Sequence, residues 1–232
     1  MSDSTGDARL PQDLRIEIAS IARDVTAPIS GFTLTTRDDI LLRRGGGDGI
    51  RIYQDLARDG HTGSVLRKRR QAVVAREWEV DAASEEPADQ LAAELVRAAL
   101  KRTNFDRACQ GLLSAVLAGY AVAEVLWEVA ELTLESGLRG FWIVPARIKP
   151  RNARRFRLDR EERLRLLTWE EPTNGIELPD RKFIMLRFWA EENEDPYGRG
   201  LGHDLFWPVY FKRNGVALWN ALLEKLGLPF IY

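Results

Sequence analysis

The stretch FDRACQGLLSAVLAGYAVAEVLWEV, residues 105–129, contains two different hydrophobic periods. Up to Leu117 its apolar residues recur at helical spacing, and Gly119 is a typical helix stop. Beyond Gly119 the residues follow the pattern of a half-buried strand. A helix that leads directly into a strand predicts a mixed α+β fold. Cys109 lies in the helical part, where a small buried thiol is expected rather than a nucleophile.

Helices are predicted upstream of this stretch. The sequence favours a short helix at 50–57, then a second helix with Thr62 or Ser64 as its N-cap. The alternation at 77–80 predicts a strand, and the acidic turn at 84–87 ends in a proline suited to a helix start.

Strands are predicted downstream, and a long helix follows them. Residues 138–189 read as strands at 141–144, 155–158, 164–167 and 182–189, separated by Pro145, Pro150, 159–160, the hairpin-type turn Asn174-Gly175, and Pro179. The last helix is predicted from Leu201 to Leu226, with Pro208 near its first turns. These elements divide the chain into an irregular N-terminal arm at 1–49, an α/β unit at 50–137, a strand-rich unit at 138–190, and an acidic loop with the long helix at 191–232.

Composition excludes several classes of protein. The chain has 232 residues, and its 45% hydrophobic content excludes wholesale disorder. It has no apolar run near the ~18 residues that span a bilayer, and its polar, acidic first residues do not resemble a secretory signal. A single cysteine forms no internal disulfide and no zinc cluster, which is typical of a protein made in a reducing cytosol.

Charge is balanced overall but uneven along the chain. The net charge is −1, yet Arg147 to Arg165 holds nine basic and three acidic residues, a local charge of +6. Acids collect at 191–195. Such opposite stretches suggest contacts between unlike surfaces of identical copies, or else two solvated loops. The candidate subunit or partner contacts in these stretches are Arg151, Arg154, Arg155, Arg157, Glu191, Glu192, Glu194 and Asp195.

No catalytic, metal-binding or cofactor-binding residue is predicted. His61 and His203 stand in no catalytic motif, and the glycine run at 45–49 lacks the Gly-Lys-Ser/Thr ending of a phosphate loop. Most of the seven tryptophans are expected in the core, while Trp207 and Trp219 are candidates for a subunit contact.

Five blocks of the sequence, in order, resemble the phage Mu-type portal proteins. The blocks are DGHTGSVLRKR at 59–69 with VV at 73–74 and EWEV at 77–80; FDR at 105–107 with GY at 119–120 and EVLWE at 124–128; PR at 150–151 with RRFRLD at 154–159; PDRKFI at 179–184 with DPYGRGL at 195–201; and FK at 211–212 with Trp219 and EKLGLP at 224–229. The resemblance runs from about residue 15 to the last residue.

The resemblance implies a structural role in the virion. Portal proteins form a ring, generally of twelve subunits, at one capsid vertex through which double-stranded DNA is packaged and ejected. The implied partners are other copies of the chain, the terminase large subunit, head-completion or adaptor proteins, and capsid and scaffold proteins. No cofactor and no membrane is implied, and the expected location is the virion after assembly in the host cytoplasm.

The resemblance also gives the predicted units a meaning. Residues 50–137 are expected to be wing-like, and 191–232 to be part of a portal core whose long helix lies near the channel. Because the family continues beyond the Gly-Leu-Pro at 227–229, the chain is expected to be the amino-terminal part of a portal protein, of an active phage or a decayed prophage.

Two alternatives stay open from the residues alone. One is a monomeric nucleic-acid-binding module that uses the Arg147–Arg165 stretch. The other is a metal-dependent nuclease that uses Glu191, Glu192, Glu194 and Asp195. The portal interpretation is preferred, because moving DNA disfavours tight phosphate binding and the net charge is near zero.

Overall fold

The computed structural model describes residues 38–45, 49–159, 162–189 and 197–227. Most of the predicted arm lies outside these ranges. So do the four acidic contact candidates, Glu191, Glu192, Glu194 and Asp195.

Six α-helices follow a short π-helical turn at Leu41–Gly45 in the described part of the chain. They are α1 (Arg51–Leu56), α2 (Gly60–Val74), α3 (Pro87–Arg102), α4 (Phe105–Leu112), α5 (Ala115–Ala118) and α6 (Gly202–Leu226). The start of α2 differs from the prediction, because Asp59 is the N-cap and accepts a hydrogen bond from the Thr62 amide. The single helix expected before Gly119 is two helices, with Gly111 in the last turn of α4 and Ser114 in the break between them, and both are poor helix formers.

The strands form two three-stranded antiparallel sheets. Their bounds are β1 (Tyr120–Thr133), β2 (Arg139–Arg151), β3 (Phe156–Leu158), β4 (Leu164–Leu166), β5 (Ile176–Glu177) and β6 (Phe183–Arg187). The first sheet has the order β2-β1-β6 and the second β3-β4-β5. The strand predicted at 77–80 is not formed, and Trp78 instead packs edge-on against Phe105 with ring centroids 5.7 Å apart.

Pro145 and Pro150 were predicted to separate strands, and both lie inside β2. Since β2 is an edge strand, a proline that lacks an N–H does not have to interrupt its pairing with β1. Pro145 stands opposite Trp127, where the register shifts by a bulge.

The β1–β2 hairpin crosses the predicted boundary between units at 137/138. The division of the chain into units stays a prediction.

Three groups of buried side chains hold these elements together. Tyr120, Phe156 and Leu166 pack between the two sheets, and the Tyr120 hydroxyl donates to the Ala153 carbonyl at 2.9 Å. A second group joins α1, α2, α5 and the first turns of α6. A third group packs α3 on one face of the β1–β2 hairpin. The observed fold is therefore α+β, as predicted.

A tightly packed connector, Tyr197–Leu201, leads into α6. The Leu201 amide donates to the Val116 carbonyl at 2.8 Å, and the Arg199 amide to the Phe188 carbonyl at 2.8 Å. A Cβ at Gly200 would lie 2.2 Å from the Leu117 carbonyl oxygen. The connector belongs to one of the sequence blocks quoted above, and glycine is required there by the close approach of two backbones.

Candidate assembly surface

Helix α6 has an anchored first part and a projecting second part. Phe206 and Val209 are buried in the core group that includes Tyr53. From Tyr210 to Gly227 every residue is exposed. The projecting part is therefore about 25 Å long at the rise of an α-helix. None of the described helices is long and apolar enough to cross a membrane.

Large apolar side chains of the projecting part lie on one side of the helix. At 100° per residue of an α-helix they cover an arc of about 160°, which also contains Lys212, while Arg213, Asn214, Asn220 and Glu224 lie outside this arc. They are between 49% and 71% exposed, and we call this set the α6 face: Phe211, Val216, Leu218, Trp219, Leu222, Leu223 and Leu226. A contiguous exposed apolar set of this kind is typical of an interaction surface.

Polar contacts fix the direction in which α6 projects. Lys212 Nζ donates to Asp59 Oδ2 at 2.7 Å, and Arg213 donates to the Asp55 carbonyl at 2.9 Å. The hydrogen bond from Lys212, with a further one from the Thr62 amide, holds the pKa of Asp59 below its usual range. The Asp59 carboxylate thus caps α2 and holds α6 at the same time.

Trp207 stacks within its own chain. The Arg44 guanidinium lies 4.6 Å from the centroid of the Trp207 ring, a distance suited to a cation–π contact. Trp207 remains 39% exposed and Trp219 is 63% exposed. Both side chains are therefore accessible to a neighbouring subunit, and their role in a subunit contact stays a prediction.

A cluster centred on the buried Asp38 connects the residues before α1 to the first turn of α6. Asp38 accepts hydrogen bonds from the Ile40 and Leu41 amides, the Tyr53 hydroxyl and His203 Nδ1, the last at 3.2 Å. Burial and the Asp38 carboxylate raise the pKa of Tyr53. Asp39 lies 3.6 Å from His203 Nδ1, so Asp38, Asp39 and His203 bring three possible metal-ligand atoms together. With its oxygens already accepting four hydrogen bonds, Asp38 acts as an anchor of the fold.

Arg151 and Arg155 direct most of their side chains into the described part of the chain, and their role as partner contacts stays a prediction. Arg151 forms hydrogen bonds to Glu124 at 2.8 and 3.0 Å, and Arg155 is 3% exposed. Arg157 donates to the carbonyls of Arg154 and Phe156. Arg154 and Arg157 are partly exposed, and their contact role stays a prediction.

Glu124 is the centre of a buried charge cluster that the sequence analysis missed. Its side chain and that of Lys182 are both 0% exposed, with Lys182 Nζ 3.8 Å from Glu124 Oε1. Arg151 reaches the other carboxylate oxygen from the end of β2. All three residues lie in the sequence blocks quoted above. A glutamate within the apolar run of β1 was the signal that could have revealed it.

A second apolar surface lies on the hairpin. Because side chains alternate along a strand, Val129 of β1 and Phe141 and Ile143 of β2 share the face opposite α3. They are 37%, 69% and 43% exposed, and we call them the hairpin face. Glu131 and Arg139, which pair at 2.7 Å, border the patch without adding net charge.

Comparison with known proteins identifies the family. Residues 50–232 match the family described as the portal protein of Mu bacteriophage. The portal protein of Escherichia phage Mu is 30% identical over 214 residues, covering 87% of this chain and 39% of the phage protein. The chain belongs to the Mu portal protein family, as the five sequence blocks predicted. It spans about two fifths of the length of that curated relative.

Proposed function

We propose that the chain is part of a portal subunit, which assembles with copies of itself into a ring at one vertex of a tailed-phage capsid. The observation that carries this proposal is the family match over residues 50–232, which includes the whole of α6. Double-stranded DNA passes through the ring during packaging and ejection. The ring is located in the virion after assembly in the host cytoplasm.

The partners proposed for the ring follow from the same assignment. They are the terminase large subunit during packaging, head-completion or adaptor proteins afterwards, and capsid and scaffold proteins at the vertex. The chain is proposed to hold these proteins in place and to catalyse no reaction itself.

The distribution of charge supports passage of DNA rather than tight binding. Arg151, Arg157 and Arg165 of the basic stretch direct their guanidinium groups to carboxylates or carbonyls of their own chain. Each phosphate contact would add affinity and slow the movement of the duplex. The family assignment and these internal contacts do not favour the nucleic-acid-binding module, and the nuclease is not favoured by the family assignment either.

Electron microscopy of the purified protein tests the proposal. Negative-stain images are expected to show annular particles with a central hole at least ~20 Å wide, enough for a B-form duplex. Sedimentation velocity on the same sample should show a single large species. A protein that stays monomeric over a wide concentration range, or that cleaves DNA in the presence of magnesium, would overturn it.

A further inference from the structure

We propose that the α6 face of one copy of this chain docks on the hairpin face of a second copy. The inference rests on the proposed function, since a closed ring requires that two different patches of a subunit meet. It adds the identity of the two patches, which neither the family match nor the relative supplies. The contact is apolar in chemistry, with polar borders.

The α6 face has about the area that a stable interface needs. Its seven large apolar side chains are between 49% and 71% exposed. At roughly 60–120 Å² of apolar surface for each buried side chain, they offer about 400–800 Å². The upper end of that range reaches the ~800 Å² that each partner contributes to a standard protein interface. Both Phe211 and Trp219, of the aromatic types favoured at interfaces, lie within the set.

The hairpin face suits a helix as its occupant. The same hairpin already packs a helix on its inner side, where Ala99 of α3 meets Ala130 and Val144. A helix on the outer side would complete a layered arrangement of helix, sheet and helix. The patch formed by Val129, Phe141 and Ile143 has no covering helix within the described part of this copy.

The occupant is a second copy because α6 does not reach its own hairpin. Lys212 and Arg213 hold the start of the projecting part to Asp59 and to the Asp55 carbonyl, on the side of α1 and α2. Every residue from there to Gly227, where the described part of the helix ends, is exposed, so none is buried against the hairpin of the same copy. Among the described residues, one copy therefore carries both the α6 face and the hairpin face, and the two faces are not packed on each other. Such a surface pair produces a head-to-tail series of copies, which closes into a ring when the rotation permits.

Cysteine cross-linking tests the pairing directly. The chain has one cysteine, Cys109, so a Cys109→Ser background leaves only introduced thiols. Leu222→Cys on the α6 face and Ile143→Cys on the hairpin face replace exposed side chains, which should leave folding intact. Oxidation of the double variant should give a ladder of covalent dimers, trimers and larger species. A mixture of the two single variants should stop at dimers, and each single variant should stay monomeric.

The matched control uses the other side of the helix. Asn220→Cys combined with Ile143→Cys should give several-fold less product than the Leu222 pair. Leu218→Cys with Phe141→Cys provides a second pair that should repeat the ladder. Thermal unfolding of each variant confirms that the fold is retained.

Each remaining outcome overturns the inference in a recognisable way. Dimers formed by Leu222→Cys alone would show a symmetric helix–helix contact. A cross-link that leaves the mass of the double variant unchanged would show that α6 folds onto its own hairpin. Rings in electron micrographs of a protein that does not cross-link would refute the two patches and leave the portal function intact. A monomer with neither rings nor cross-links would refute both.

Discussion

Glu124→Gln is expected to destabilise the fold strongly. The substitution keeps the size of the side chain but removes the carboxylate charge that pairs with Lys182, whose side chain is 0% exposed. Breaking a buried ion pair by removing one partner costs about 3–5 kcal/mol, since an uncompensated charge is left in the interior. At ~2–4 °C per kcal/mol for a protein of this size, the melting temperature should fall by roughly 6–20 °C.

The same strand supplies a matched control. Glu131 also lies on β1 and also pairs with an arginine of β2, at 2.7 Å, but its side chain is 41% exposed and that of Arg139 is 69% exposed. Exposed pairs contribute ~0.2–1 kcal/mol, so Glu131→Gln should change stability little. Urea unfolding followed by tryptophan fluorescence measures both variants under one set of conditions.

A rescue variant separates charge burial from simple loss of packing. Replacing Lys182 by methionine in the Glu124→Gln background removes the buried ammonium group and should recover much of the lost free energy of unfolding. If Glu124→Gln and Glu131→Gln differ by less than about 1 kcal/mol, the buried cluster does not have the energetic role argued from its exposure. If the methionine variant is no better than Glu124→Gln alone, the cost does not come from the cation.

Three further substitutions test the anchoring of α6, with Gly215→Ala as a control, and each is followed by thermal unfolding. Gly200→Ala should cost about 1–3 kcal/mol or more, because the new methyl group meets backbone atoms, whereas Gly215→Ala, with open space around it, should gain about 0.5–1 kcal/mol. Asp59→Asn should lower stability at neutral pH and not in acid. In the folded protein, Lys212 lowers the pKa of the parent Asp59 carboxyl. The stabilisation by that carboxylate is therefore present above the pKa of the unfolded state and is lost as the pH falls through the pKa of the folded state. Equal differences from the parent in acid and at neutral pH would contradict that linkage. Tyr53→Phe should cost about 1–3 kcal/mol by leaving a buried carboxylate oxygen without its hydroxyl donor, and an unchanged melting temperature would contradict this assignment.

Local periodicity predicted the order of the main elements. The change of period at Gly119 correctly placed a helix before β1, and α6 runs from Gly202 to Leu226 against a prediction of Leu201 to Leu226. The strand predicted at 77–80 is absent for a specific reason. Trp78 packs on Phe105, so its apolar character reflects one aromatic contact and not the pleat of a sheet.

The surfaces could be predicted less well than the elements. A count of charges cannot tell an arginine that faces the core from one that faces solvent, and the partner of Arg151 lies 27 residues earlier in the chain. The separation along the sequence is larger still for His203, which contacts the carboxylate of Asp38, 165 residues earlier. Periodicity did identify apolar positions along α6, but only the structure shows that those beyond Val209 are left exposed by the other described elements.

Pro208 stands where the anchored part of α6 gives way to the projecting part, one residue before the last buried side chain. A proline within a helix lacks the N–H that would bond to the carbonyl four residues earlier, and it favours a bend at that place. The place where α6 bends most easily is therefore next to its anchored part. The connector Tyr197–Leu201, which is hydrogen-bonded to Val116 and Phe188, holds the anchored part on the other side of this proline, so a change in the direction of the projecting part is expected to occur at Pro208.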